Sequence, residues 1–392
     1  MADTEHDQAT AIPEPPGLLI AVLASICIAT LGINTLPLLL GSVIDGLEIG
    51  ERQGGLVGTV ELGAVALVSL LLAPLLGRWR RNRIAILGGF IAVLGYVVSA
   101  ASEAYTLVLL GRLICGAGAG AVMAAGNAAL AASDNPDGLM ARVMLVVGVG
   151  AAILLGTLPL ALGPWGYPGG YLVLACITLL CLPLMRNLPP PPRRGIAATT
   201  EKIRHPLLGG LLILAIFLDA ISQEGLWAFS ERIGEISGLT IEEVGIVLAF
   251  TTLAGVAGSI LAYVLSNRIG RGPPLAIGLG IGAVARWTLA SASEPATYSI
   301  AQLLLGLSFF LTYPFLIGAI AELDRTGRLS ALAAGIVTIG SAAGPVTAGE
   351  LVAWGGYPAL GVLGVGMALA TALLALPTVR ILAQSDDVPE ES

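Results

Sequence analysis

The residues of this sequence that could do chemistry are ionisable side chains inside long apolar runs. Asp219 and Glu224 lie in one run, and Arg112 lies in another. Burial raises the pKa of a carboxyl and a nearby arginine lowers it, so a carboxyl held between these limits can bind and release a proton. An arginine inside a membrane is costly unless it is paired or hydrated, and its default interpretation is functional. This pattern indicates the movement of protons and solutes.

The run that contains Asp219 has further polar residues on one side. Asp219 and Gln223 are four residues apart and therefore share a helix face, which Trp227 continues. Glu224 points partly away from this face and lies nearer the outside. We expect proton coupling through Asp219 or Glu224. The alternative is a permanent ion pair between such a carboxylate and an intramembrane arginine.

Other features limit the chemistry. Arg112 and Arg286 are the arginines available for an ion pair, and Glu61 is a further intramembrane acid. The histidines, His6 and His205, lie outside the apolar runs, and no His, Cys or carboxylate cluster has metal-ligand spacing. No nucleophile has a histidine nearby in the same segment. The sequence therefore predicts no enzyme, no metal site and no cofactor.

Long apolar stretches must position these side chains. The chain is 56% hydrophobic and 11% charged, whereas about a quarter of the residues of a soluble domain are charged. About twelve stretches of roughly twenty residues occur, and a helix of that length crosses a hydrocarbon core of about 30 Å. The runs lack the alternation of barrel strands. The sequence therefore predicts an all-α polytopic protein embedded in a lipid bilayer, and it gives no support for nucleic-acid binding. The predicted helices are 17–41, 54–76, 84–101, 106–130, 141–163, 169–186, 206–230, 242–265, 274–292, 297–321, 331–351 and 358–382.

Basic residues are distributed unevenly between the predicted helices. If the amino terminus is cytoplasmic, fifteen of the nineteen Lys and Arg residues fall in cytoplasmic segments, as the positive-inside rule requires. We therefore expect a bacterial inner-membrane protein with both termini in the cytoplasm. A proline run after Arg186 favours an extended spacer between two halves. The expected parts are a disordered tail at 1–16, a six-helix bundle at 17–186, a linker at 187–205, a second bundle at 206–383 and an acidic tail at 384–392.

The two halves repeat at an offset of 190 residues. Loop arginines and a Tyr-Pro pair recur at equivalent places in the predicted topology. The matching positions are Arg78 with Arg268, Arg81 with Arg271, and Tyr167-Pro168 with Tyr357-Pro358. Repeated halves are typical of secondary transporters, in which the solute site lies near the middle of the membrane between them.

Two motifs carry a resemblance to a known family. Arg78 and Arg81 follow the second predicted helix, and Arg112 in the fourth is followed by glycines at alternate positions, Gly116, Gly118 and Gly120. With the repeated topology, these motifs resemble the major facilitator superfamily. The resemblance implies two pseudo-symmetric six-helix bundles, with twelve transmembrane helices in all, around a central cavity. It also implies a monomer that moves a small solute by rocking between two states.

The resemblance further implies that helices 1, 4, 7 and 10 line the cavity. The candidate solute contacts on them are Asn34, Arg112, Asn127, Gln223, Trp227, Gln302 and Tyr313. Asp219 and Glu224 are the candidates for proton coupling.

The family's loop motif implies a gate or latch at four arginines, Arg78, Arg81, Arg268 and Arg271. The aspartate usual in that motif is absent from the first half, and Asn267 stands in its place in the second. The alternative is that these arginines only set the topology. Glu61 and Arg286 are candidates for a latch or for a contact between helices.

We expect a proton-coupled transporter of a small organic solute, with a preference for organic anions because Arg112 offers a guanidinium. The alternative is a drug/proton efflux antiporter. Antiporters of this family have a Gly-Pro motif in the middle of the fifth helix, and this sequence differs. Gly163-Pro164 lies at the outer end of that helix, and a similar run around Gly344-Pro345 occurs in the eleventh helix. Glu231 and Arg232, at the outer end of helix seven, are either an external gate or a solvated pair.

Overall fold

The structure is a computed structural model that describes residues 17–191, 205–323 and 328–386. These ranges contain helices and no strands. The helices are α1 (Leu18–Gly46), α2 (Glu51–Leu72), α3 (Arg81–Ala100), α4 (Tyr105–Ala131), α5 (Pro136–Thr157), α6 (Pro159–Cys181), α7 (Pro206–Ala228), α8 (Ser230–Ile236), α9 (Ile241–Ile269), α10 (Gly272–Ala290), α11 (Pro295–Leu323) and α12 (Arg328–Asp386). The terminal tails and most of the predicted linker lie outside the described residues.

Twelve spans follow from these helices. The helix α8 is too short to be one. The helix α5 is continued by the start of α6 as far as Gly166, and α12 consists of two helices joined at Gly356. In the described ranges, ten helices are long and apolar enough to cross a membrane; one of them, Leu332–Leu382, is long enough for two spans, and α10 is not among the ten. The predicted all-α architecture with twelve spans is confirmed.

The two breaks explain one of the sequence repeats. Gly166 and Gly356 each precede a Tyr-Pro pair and have φ values of 57° and 70° with extended ψ. A Cβ makes this backbone conformation costly, so glycine is required there. At the first break the chain folds back so sharply that Gly170 packs against Leu162. Each Gly-Tyr-Pro segment is therefore the turn between two consecutive spans.

Small residues set the close packing within each half. Gly116 of α4 lies against the backbone of α2, and Gly118 of α4 lies against the backbone of α3. In the second half, Gly258 of α9 lies against the backbone of α11, and Gly344 of α12 lies against α7. Membrane helices approach closely through such positions because no side chain separates the backbones.

The two halves meet mainly on one side of the molecule. The turn between α1 and α2, the two Gly-Tyr-Pro turns and α8 lie on the face opposite the chain termini, which we call the distal face. One buried apolar cluster joins both halves toward the distal face, from Leu36 and Tyr171 to Leu226 and Tyr298. Toward the termini, the first half and the second half have separate clusters. The molecule is therefore closed on its distal face.

Candidate functional site

Arg112 is enclosed between α2, α3, α4 and α6, and it is 0% exposed. Its Nη1 lies 3.3 Å from Oε2 of Glu61 on α2. Its Nε and Nη2 donate to Ser99 Oγ on α3 at 3.1 and 3.0 Å. The rings of Tyr96 and Tyr171 lie 4.9 and 4.0 Å from the guanidinium carbon. The charge is therefore neutralised by a carboxylate and supported by two aromatic faces. Its expected contact with solute stays a prediction, because this conformation keeps the guanidinium within the first half.

Glu61, the partner of Arg112, is also enclosed by neighbouring helices. Cys115 on α4 has its sulfur 3.7 Å from Glu61 Oε1. On α1, a side chain at Gly32 would overlap the carboxylate, so α1 packs over Glu61 only because residue 32 is glycine. The structure thus places Glu61 as the buried partner of Arg112 between α2 and α4.

A second buried ion pair lies in the other half. Asp219 on α7 and Arg286 on α10 approach to 2.5 Å between Oδ1 and Nη2, with side chains 4% and 3% exposed. This is the ion pair that the sequence left open as the alternative to proton coupling by Asp219. In this conformation the Asp219 carboxylate is engaged by the Arg286 guanidinium. The structure therefore gives Asp219 a partner that Glu224 lacks.

Glu224 lies on α7, and its side chain is partly exposed. Its Oε2 is buried without a hydrogen-bond partner among the described residues. Its Cβ packs against Gly344 in the first part of α12, where a larger residue would not fit. Gln223, beside it, is 7% exposed, and its Oε1 also has no partner there. Among the residues that the structure describes, no Lys or Arg side chain forms an ion pair with Glu224.

Trp227 joins the two halves through a carbonyl that a proline has freed. The Ile33 carbonyl of α1 cannot bond to residue 37, because Pro37 has no N–H. The indole Nε1 of Trp227 on α7 donates to that carbonyl at 2.8 Å. Trp227 and Glu224 are three residues apart, so their side chains are neighbours on one side of α7.

Asn34 lies on α1 in the first half, whereas Gln223 lies on α7 in the second half. It lines a cavity of about 320 Å³ between α1, α5 and α6, together with Thr30, Cys27 and Cys181. All of these helices belong to the first half. The polar residues of α7 do not line this cavity, and the role of Asn34 as a solute contact stays a prediction.

The other predicted solute contacts are dispersed. Gln302 on α11 is 0% exposed, and its Nε2 donates to Ser230 Oγ at 3.1 Å. Tyr313 on α11 packs against Phe309, with ring centroids 5.5 Å apart. Asn127 is exposed near the end of α4 that lies on the side of the termini. These three positions stay predictions as solute contacts.

The loop arginines differ between the halves. Arg81 is 5% exposed, and its Nε and Nη1 have no hydrogen-bond partner among the described residues. Its counterpart Arg271 forms an ion pair with Glu322 on α11. Arg78 and Arg268 are exposed. The latch role of the four arginines stays a prediction, and the side chain of Asn267 lies outside the described part.

Among the described residues, two ion pairs cross between the halves on the distal face. Arg52 on α2 approaches Glu350 on α12 at 2.5 Å, and Arg232 on α8 approaches Asp45 on α1 at 2.8 Å. The Val346 amide on α12 also donates to a hydroxyl of α2, at 3.0 Å. The partners Asp45 and Glu350 were missed by sequence reasoning. The sequence places each at a distal helix end, but the arginine of the other half that each contacts follows only from the packing of the halves.

Tyr96 and Tyr171 were also missed. Their aromatic character gives no hint of a buried guanidinium, but the internal repeat gives one for Tyr96, which lies 190 residues before Arg286. Equivalent positions in the two halves therefore both belong to charged clusters. No group of three or more metal-ligating side chains is assembled among the residues that the structure describes.

The fold and these charged groups define a class of protein. Two related bundles of membrane-spanning helices, with ion pairs inside each and a closed face between them, form a multi-pass transporter of small solutes. The sequence profile described as Major Facilitator Superfamily matches residues 22–218 and 212–390, so the chain belongs to that family.

Two solved structures show the same fold at low identity. A mutant of the nucleoside transporter NupG is similar with a TM-score of 0.72 at 13% identity, covering 93% of this chain and 98% of that one. A bacterial homolog of the human lysosomal transporter Spinster, inward-facing and unoccupied, is similar with a TM-score of 0.68 at 16% identity, covering 97% and 100%.

Proposed function

We propose that this protein is a proton-coupled secondary transporter of a small organic solute that works by alternating access as a monomer. The uneven distribution of arginine supports a bacterial inner-membrane location with cytoplasmic termini. In that orientation the distal face is the outer face, and the structure is closed to the outside. Residues 17–186 and 206–383 are the two bundles that move against each other, joined by the linker at 187–205.

The observation that carries the proposal is that two of three intramembrane carboxylates have an arginine partner and the third has none among the described residues. Glu61 is paired with Arg112, and Asp219 is paired with Arg286. Within the described part of the chain, Glu224 has no such cation, and one of its oxygens is buried without a hydrogen bond. A charged group in this setting is costly unless it binds a counter-charge. A proton that binds and leaves in each cycle meets that need, so Glu224 is the proposed carrier.

The structure also changes the expected solute preference. The sequence favoured organic anions because of the Arg112 guanidinium, which is neutralised by Glu61 in this conformation. Glu224, which has no ion pair among the described residues and lies near the contact of Trp227 with the first half, is a carboxyl. That observation favours a second candidate, a drug-type antiporter that exchanges a cationic solute for protons at Glu224.

Transport by purified protein in liposomes tests the proposal. A screen for solutes that raise the melting temperature comes first, with organic anions, lipophilic cations and nucleosides as three classes. Nucleosides are included because NupG is named as their transporter. An imposed pH gradient should then drive solute accumulation, and movement of solute against the proton flow identifies the antiporter.

Two substitutions locate the carrier. Glu224→Gln should abolish accumulation driven by the gradient while solute exchange without a gradient continues. Asp219→Asn should still couple to the gradient at a reduced rate, because it disturbs only the ion pair with Arg286. Uncoupling by Asp219→Asn alone would reassign the carrier to Asp219. Full coupling in both variants would place it elsewhere.

A further inference from the structure

Glu231 is a carboxyl buried where the two halves meet on the distal face. It lies on α8, outside the membrane-length helices, and it is 5% exposed. Its Oε2 has no hydrogen-bond partner among the described residues. Across the boundary it lies against α1 at Gly41, where any side chain would overlap the carboxyl. The carboxyl therefore lies directly against a helix of the other half.

A cavity of about 480 Å³ lies beside this carboxyl and is lined by both halves. Glu231, Asp45 and Glu235 line it, with residues of α6 and α9. Arg232 donates to Asp45 at 2.8 Å and to Glu235 at 2.9 Å, so its hydrogen bonds go to the other two acids. The charged and titratable groups that face Glu231 are Arg232 and Glu235 on α8, Asp45 on α1, Tyr298 on α11 and Tyr357 on α12.

Burial raises the pKa of Glu231 to about 8; Arg232 opposes the rise, and Glu235 and Asp45 add to it. Separation of the halves would move Gly41 away and admit water to the carboxyl, and its pKa would then return toward the ordinary value of 4.5. The closed form then binds the proton more tightly than the open form. The stabilisation of the closed form, relative to the open form, by this proton is therefore complete below about pH 4.5 and is lost as the pH rises through about 8.

We propose that Glu231 is a proton-binding site that controls a distal gate: the halves close over the protonated carboxyl and separate when it ionises. This inference rests on the proposed alternating-access transporter. It adds a second proton site, distinct from Glu224, at the outer mouth. Closure behind an entering solute then requires a proton from outside, which makes the state of the gate depend on external pH.

The gate can be measured without solute or gradient. Spin labels at Ala104→Cys and Ser293→Cys report the distance between the halves, because both positions are exposed in distal turns. The background is the full chain in nanodiscs with its cysteines replaced by alanine: Cys27, Cys115, Cys176 and Cys181. The two distances give the ratio of open to closed molecules. This ratio should rise by up to about tenfold per pH unit between the open-state and closed-state pKa values.

Three variants test whether Glu231 is the residue through which pH controls the gate. Glu231→Gln, a neutral mimic of the protonated acid, should stay closed at every pH. Glu235→Gln is the matched control, because it removes a carboxylate from the same helix and cavity; it should keep the pH response, with the midpoint moved to lower pH because Glu235 contributes to the raised pKa of Glu231. Glu224→Gln should also keep it. A wild-type distance that ignores pH, or a pH response that survives Glu231→Gln, would overturn the proposal.

Two further measurements distinguish the proposed gate from a metal-cation site and from the proposed proton coupling. At constant pH, replacing potassium by sodium should leave the distances unchanged; closure by sodium would mean that the site binds a metal cation instead of a proton. If liposome transport proves independent of the pH gradient while Glu231 still titrates the gate, the proposed proton coupling fails and the gate stands. If transport is coupled but the gate ignores pH, only the gate fails.

Discussion

Arg112 and Glu61 show how a buried charge is tolerated within one half of the molecule. Each partner is nearly inaccessible, and their ion pair is completed by Ser99 and two tyrosine rings. Removing one member of a buried pair leaves the other charge without compensation, which costs far more than the pair itself contributes. Loss of transport in an Arg112 variant would therefore not by itself indicate a solute contact.

A double substitution distinguishes stability from solute binding. Arg112→Met alone should destabilise the protein by about 3–5 kcal/mol, because Glu61 is left buried without its counter-charge. Combining it with Glu61→Leu should recover most of that loss, as seen in the melting temperature of purified protein. Arg52→Met, which removes an exposed arginine, is the control and should change it little. If the double variant is stable but no longer exchanges solute, Arg112 has a functional role beyond stability.

Gly41 tests the surroundings of Glu231 from the opposite side. A Cβ at position 41 would displace the carboxyl toward water, so Gly41→Ala should lower the pKa of Glu231 toward its ordinary value. The pH at which the distal gate opens should then move to a lower value in the spin-label measurement. Gly50→Ala is the control, because no atom lies within 4 Å of its added Cβ. An unchanged midpoint in Gly41→Ala would mean that Gly41 does not set the burial of Glu231.

The turns between spans are the elements that the sequence predicts in most detail. Gly356 joins the two parts of α12 with a φ of 70°. Gly356→Ala should lower the free energy of unfolding by about 1–3 kcal/mol, since that backbone region is essentially restricted to glycine. Gly366→Ala, in the same helix, is exposed, and no atom lies within 4 Å of the added Cβ. The control should be neutral or slightly stabilising, because alanine has the higher helix propensity. Equal melting temperatures for the two variants would contradict the turn assignment.

The helices and their turns could be read from the sequence because both depend on local chemistry. Runs of apolar residues require helices in lipid, and the repeated Tyr-Pro pairs mark equivalent turns after Gly166 and Gly356. Partners between helices could not be read in this way. Asp219 has Arg112 and Arg286 as equally plausible partners in the sequence, and only packing of α7 against α10 selects Arg286. The same limit explains why Asn34, although polar and on helix 1, lies in a cavity of the first half.

At the scale of the whole molecule, the structure shows one arrangement of the halves, and the proposed alternating access requires a second. The apolar core is continuous across the halves toward the distal face and separate toward the termini. Few polar contacts hold the distal face closed, and the ion pair of Arg52 with Glu350 is exposed to solvent, which makes it weak. Buried contacts between the halves therefore have the larger influence on the equilibrium.

The hydrogen bond from Trp227 to the Ile33 carbonyl is such a contact, and it exists because Pro37 leaves that carbonyl without its helical partner. Trp227→Phe keeps an aromatic ring but removes the donor. A hydrogen bond contributes about 0.5–1.5 kcal/mol, so the ratio of open to closed molecules should rise roughly two- to tenfold. The distance between labels at Ala104→Cys and Ser293→Cys measures that ratio. Trp354→Phe, at a position that is 84% exposed, is the matched control and should leave it unchanged. A closed fraction equal to that of the unsubstituted chain would show that this bond does not hold the halves together.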